Sequence, residues 1–153
     1  MKISASEGYG LRILLTLART EQQNGLTIAQ ISEQEAMSAH NVAKILRTLR
    51  MHEFVVSSRG QNGGYRLARP ASEILLSNVL SSLGGRLFED EPEADHSDSR
   101  FCTGSIDCSL RSLWKALQLS IDRVTEGLSL NDLIGDGKDL QGHIYETLNI
   151  TGQ

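Results

Sequence analysis

Proline is nearly absent from this chain, at 2 of 153 residues, and cysteine is equally scarce. So little proline leaves few enforced helix breaks. With 39% hydrophobic and 22% charged residues, the composition reads as soluble, ordered and helix-rich. Two cysteines cannot make a disulfide framework, and a chain of this length buries about two-thirds of its unfolded surface without one. No apolar run approaches the ~20 residues of a membrane span. The start, Met1-Lys2-Ile3-Ser4, lacks the apolar core and cleavage site of a signal peptide, so the expected compartment is the cytoplasm. There is no nucleophile elbow, no metal-hydrolase histidine pair and no glycine-rich dinucleotide loop, which argues against an enzyme.

The formal charge of −4 seems to exclude a nucleic-acid partner, but the charges are unevenly placed. Residues 1–80 carry nine Lys and Arg against six Asp and Glu, a net of +3; residues 81–153 carry six against thirteen, a net of −7. Between 40 and 70, six cations (Lys44, Arg47, Arg50, Arg59, Arg66, Arg69) face Glu53 alone. A basic segment within an acidic chain points to a polyanion at one end of the molecule.

Apolar spacing at Leu11, Leu14, Leu15 and Ala18 predicts a helix from Ser4 to about Thr20. Glu21 to Gly25 reads as a polar turn. Thr27 reads as the N-cap of a second helix from Ile28, with Gln30 completing a capping box, and Glu35-Ala36-Met37 as a short link. Ser38 then caps a third helix, Ala39 to about His52. Its apolar face is Val42, Ile45, Leu46 and Leu49, and its polar face is His40, Asn41, Lys44, Arg47 and Arg50. Two β-rich runs, Phe54–Ser58 and Tyr65–Ala68, flank the glycine-rich stretch Arg59 to Gly64 and predict a hairpin. A fourth helix is expected from Ile74 to Leu83. Beyond Gly84-Gly85 an acidic loop surrounds Pro92. After Cys108, apolar residues at 110, 114, 117, 121, 124 and 128 step by 4, 3, 4, 3, 4, the seam of a helix packed along a partner helix. Ser129 caps a short last helix, Leu130 to Ile134.

The fold class is therefore mainly α with a small β-hairpin: a winged helix-turn-helix over 1–83, an acidic sensor loop over 84–107, a long dimerisation helix with a short terminal helix over 108–135, and a polar tail over 136–153. A helix enters a major groove when one face packs on its own domain and the other offers polar side chains to bases. The candidate DNA-binding residues are Thr27, Ser38, His40, Asn41, Lys44 and Arg47, with Ser57, Arg59 and Gln61 on the wing. The wing glycines keep the turn thin enough for a minor groove. A polar helix face is often merely solvated, but here turn, polar face and glycine-rich wing follow in order. A protein-interaction module that uses the same fold without DNA is the rival of a different class.

The run Ser57-Ser58-Arg59-Gly60-Gln61-Asn62-Gly63-Gly64-Tyr65-Arg66-Leu67-Ala68 resembles the wing of the Rrf-two-type bacterial regulators. Met1–Ser4, Tyr9-Gly10-Leu11-Arg12, Leu26–Ser32 and Cys102-x5-Cys108 followed by Leu113-Trp114 are similar to other parts of that family. The resemblance covers roughly residues 1–135. It implies a homodimer joined through the C-terminal helix, binding an approximately palindromic operator in double-stranded DNA.

Many such regulators hold an iron–sulfur cluster with three cysteines spaced by five residues and a fourth ligand from His, Asp or Glu. This chain departs from that pattern: His96 stands where the first cysteine would, giving His96-x5-Cys102-x5-Cys108, and Arg111 occupies the place of a further histidine. The resemblance implies a cluster, [2Fe–2S] favoured, on Cys102, Cys108 and His96. Glu7 is a candidate from the first helix, one position before the usual acidic ligand, where this chain has Gly8. Two other readings stay open: a metal-free thiol pair controlled by oxidation, and a remnant loop with control by an effector.

Overall fold

The computed structural model describes residues 5–20, 24–58, 60, 63–84, 105–135 and 137–147, with the backbone alone at 105–108, 137, 138 and 147. Three helices come first: α1 (Ala5–Ala18), α2 (Ile28–Glu35) and α3 (Ala39–Met51). Strands β1 (Val55–Ser57) and β2 (Tyr65–Leu67) follow, then a 3-10 turn (Ala71–Glu73) and α4 (Leu76–Leu83). The long α5 (Ser105–Glu126), a second 3-10 turn (Leu130–Leu133) and α6 (Gly137–Thr147) complete the chain.

Local chemistry sets the helix starts as expected. The Thr27 hydroxyl accepts the Gln30 N–H at 3.2 Å while Gln30 Oε1 accepts the Thr27 N–H at 2.9 Å, a complete capping box. Ser38 Oγ accepts the Asn41 N–H at 3.3 Å and so begins α3. Val42, Ile45, Leu46 and Leu49 of α3 are all buried. They meet Ile13, Leu14 and Leu17 of α1 and Ile31 of α2 in one core, with Leu26, Phe54, Val55, Ile74 and Val79 closing it. In α1 the deepest residues include Ile13 and Leu17, whereas Leu11, Leu15 and Ala18 are only partly buried.

The hairpin is antiparallel, with Val55 opposite Leu67, Val56 opposite Arg66 and Ser57 opposite Tyr65. It is tied to the α1–α2 turn as well as to α3. The Leu26 N–H donates to the Tyr65 carbonyl at 2.9 Å, and the Tyr65 N–H returns a bond to the Leu26 carbonyl at 2.7 Å. Gly25 makes that approach possible: it has φ +75°, and a Cβ on it would stand 2.0 Å from the Tyr65 carbonyl oxygen.

The structure differs from expectation in four places. The fourth helix begins at Leu76 rather than Ile74, because Ile74 and Leu75 are extended and Leu75 bridges to Ser129. The Leu76 N–H donates to the Leu128 carbonyl at 2.9 Å, and the Leu130 N–H donates to the Ile74 carbonyl at 2.8 Å. Leu128 and Leu130 are buried there, so the end of α5 is fastened to the helix-turn-helix core. The stretch read as a polar tail carries α6, with Leu140 and Ile144 half-buried. The short last helix is a 3-10 turn, begun by the expected Ser129, and α5 starts three residues before Cys108.

Candidate nucleic-acid interface and sensor segment

The side of α3 opposite the core carries the expected polar residues. Ser38, His40, Asn41, Lys44, Arg47 and Arg50 are all exposed, as is Thr27 at the start of α2. The Ser38 cap fixes where α3 begins, and so brings His40 and Asn41 to its first turn and Lys44 and Arg47 one and two turns further on. Ser57, also exposed, ends β1 beside them. Arg59 and Gln61 lie outside the described residues. Their neighbours hold the wing closed: the Ser58 N–H donates to the Gly64 carbonyl at 2.9 Å, and Ser58 Oγ accepts the Gly64 N–H at 3.1 Å.

The structure adds features that spacing did not show. Arg50 donates from Nη1 to Ser57 Oγ at 3.3 Å, linking the last turn of α3 to the wing. Glu53, the lone acid of the basic segment, follows α3 in the left-handed conformation, at φ 58°. It lines an exposed groove with Arg50, Val55, Val56 and Arg69, where the Arg69 guanidinium lies 5.7 Å from the Phe54 ring centre. Behind the interface, Arg12 Nε bonds Glu35 Oε2 at 2.8 Å, and the Thr16 hydroxyl donates to Glu35 Oε1, so α1 clamps the end of α2. That pair joins residues 23 apart, and no local pattern announces it.

Of the sensor candidates, His96 and Cys102 lie outside the described residues. Cys108 falls in the first turn of α5. Glu7 is buried in the first turn of α1 against Gly84, the residue that ends α4 and precedes the segment with His96 and Cys102. Among the described residues, no group of three His, Cys, Asp or Glu stands close enough to hold a metal ion. On α5, Leu110, Trp114 and Leu117 of the seam are exposed and Ile121 and Val124 are half-buried; Leu128, just beyond the helix, is buried. The apolar line thus leaves the core at one end and faces outward at the other. No described helix is long and apolar enough to cross a membrane.

Comparison with known proteins gives a consistent picture. A family model described as "Rrf2: Iron-dependent Transcriptional regulator" matches residues 3–136. The HTH-type transcriptional regulator IscR of Vibrio campbellii is 28% identical over 142 residues, covering 92% of this chain and 82% of that protein. The solved structure of CymR, the global cysteine regulator of B. subtilis, matches with a TM-score of 0.70 and 25% identity over 88% of this chain and 96% of the other. An oxidised form of Staphylococcus aureus CymR matches with a TM-score of 0.68 and 27% identity over 89% and 98%.

Proposed function

The chain belongs to the Rrf2 family of transcriptional regulators, and from that premise we propose that this DNA-binding regulator works as a cytoplasmic homodimer on an approximately palindromic operator, with the segment from His96 to Cys108 as its sensor. It is a regulator and not an enzyme. The observation that carries the dimer is the exposed apolar line Leu110, Trp114, Leu117 on a helix whose other end, at Ile121 and Val124, is half-buried and leads into the buried Leu128. A partner's copy of the same line covers it and brings two recognition helices to two half-sites.

The family's description as iron-dependent supports a metal in the sensor. The donor set suits an iron–sulfur centre: Cys102 and Cys108 supply thiolates, His96 an imidazole and Glu7 a carboxylate. The buried position of Glu7 against Gly84 fits this set, since it holds a carboxylate at the foot of the segment that carries His96 and Cys102. When bound, a [2Fe–2S] centre supplies a redox-sensitive cross-link between that segment and α5. Cys108 stands at the start of α5, and the 74–76 to 128–130 pairing fastens its end. A clamp on 96–108 therefore shifts the outer part of α5 and, in a dimer, the separation of the two α3 helices. A coupling of about 1–3 kcal/mol changes operator affinity roughly 5–150-fold.

The solved oxidised form of a CymR favours a second reading, in which Cys102 and Cys108 act as a metal-free thiol pair. Anaerobic purification with iron and sulfide assays separates the two. Colour and stoichiometric iron, lost in Cys102→Ala, support the cluster. A colourless protein that cannot be reconstituted, yet whose operator affinity changes on oxidation, supports the thiol pair.

A further inference from the structure

An open groove runs between the start of α2 and the wing, lined by Thr27, Ile28, Arg50, Ser57, Gly60 and Gly64 among others. Arg50 at the end of α3 and Ser57 of the wing both line it, so it lies where the two elements assigned to DNA meet, α3 for a major groove and the wing for the minor groove beside it. On the duplex, the thing between a major groove and the neighbouring minor groove is a sugar–phosphate strand. When both elements engage neighbouring grooves that strand lies between them, and this gap, lined from both, is open to it.

Arg50 stands in the gap. It is exposed in the last turn of α3 and uses Nη1 to reach Ser57 Oγ at 3.3 Å. A guanidinium carries five N–H donors in a rigid fork, so one bond to a hydroxyl leaves donors for a phosphate oxygen. Gly64 on the far side is buried close against the turn before α2, where a Cβ on it would stand 2.9 Å from the Asn24 carbonyl oxygen. The first N–H groups of α2, at Ile28 and Ala29, have no acceptor within their own helix and add positive potential on that side.

We infer that Arg50 is a further DNA-positioning residue, which seats the phosphodiester strand between recognition helix and wing and, through Ser57, fixes the wing's angle to α3. The inference rests on the DNA-binding reading and adds to it a sequence-independent contact that sets the register of both readers.

The test uses the full chain and two duplexes, one carrying an operator obtained by selection in vitro and one scrambled, with affinity measured from about 50 to 200 mM salt. Arg50→Gln is expected to weaken both duplexes about tenfold, leave their ratio nearly unchanged and lower the salt slope by about 0.9, the increment for one phosphate. Arg50→Lys keeps the slope because it keeps the charge, but loses several-fold because an ammonium cannot serve Ser57 and a phosphate as a fork does. Ser57→Ala also keeps the slope, with a several-fold loss. A wild-type slope in Arg50→Gln, or a loss confined to the operator, overturns the assignment while leaving DNA binding intact. A wild-type chain that binds neither duplex overturns the DNA-binding reading itself.

Discussion

Glu7 lies directly on Gly84: a Cβ built there would stand 2.3 Å from Glu7 Cδ and 2.4 Å from Oε1. Gly84 has φ −141°, which any residue adopts, so glycine is required here for space rather than for conformation. Three residues along α1, Gly10 receives Leu83 in the same way, with a Cβ position 2.3 Å from Leu83 Cδ1. The start of α1 and the end of α4 are therefore interlocked where, in sequence, the segment proposed as sensor begins. Gly84→Ala must displace a buried carboxylate, and overpacking of this kind costs about 1–3 kcal/mol. In urea melts the double variant Glu7→Ala/Gly84→Ala should recover part of that loss, because the methyl then has room. Strict additivity of the two single changes would show that the contact does not matter.

Two helices end on left-handed residues that are not glycine. Ala36 has φ 52° and Glu53 has φ 58°, and the bonds from Met37 N–H to the Ser32 carbonyl and from Phe54 N–H to the Leu49 carbonyl close both ends. Ala36→Gly is expected to stabilise the fold by about 0.5–1 kcal/mol, with operator affinity unchanged. Glu53→Gly should stabilise similarly and also tighten DNA binding at low salt, since it removes the one acid from the basic segment. Thermal melts beside a binding titration read both effects. Equal affinity of the two variants would place Glu53 away from the DNA.

The parts of the fold legible in the sequence were those governed by neighbours. The Thr27–Gln30 box, the Ser38 cap and the apolar face of α3 depend on spacings of three and four residues, and all stand where those spacings put them. What was not legible depends on distant partners. Ile74 has a helical neighbourhood in sequence but its carbonyl accepts the Leu130 N–H, and Glu35 is buried because Arg12 and Thr16 of another helix meet it. The tail, with Gly137 and Gly142, carries weak helical propensity, yet α6 forms where Leu140 and Ile144 become half-buried. The interface followed the same division. The exposed cations of α3 could be listed from periodicity, whereas the Arg50 to Ser57 link needed the hairpin folded back.

Acid should weaken the C-terminal part through Asp132. The Ser129 hydroxyl and N–H bond its Oδ2 at 2.6 and 2.7 Å and hold its carboxyl below the ordinary aspartate value of 3.8, with a smaller contribution from the His143 charge. A carboxyl depressed in the folded state stabilises the protein above its unfolded pKa, and that stability is lost as pH falls through the folded pKa. Asp132→Asn should lower the melting temperature near neutral pH and have a shrinking effect from about pH 4 downward. A difference that stays constant to pH 2 would assign the contribution to packing instead of charge.

The outer half of α5 decides whether one molecule or two reads the operator. Leu117 is 39% exposed in the middle of the line from Leu110 to Leu128, while Leu119, 58% exposed, stands two residues on and half a turn round the helix. Leu117→Arg places a charge in the middle of the proposed seam, where burial without a partner is costly. Light scattering should show the mass of one chain for Leu117→Arg and of two for the wild type and Leu119→Arg. A single recognition helix loses the effective concentration that links two half-sites, so operator affinity should fall by on the order of 10² to 10⁴. Binding to a duplex with one half-site should change little, because α3 and the wing lie in a core that Leu117 does not enter. Equal masses for Leu117→Arg and the wild type would leave the apolar line without its proposed partner.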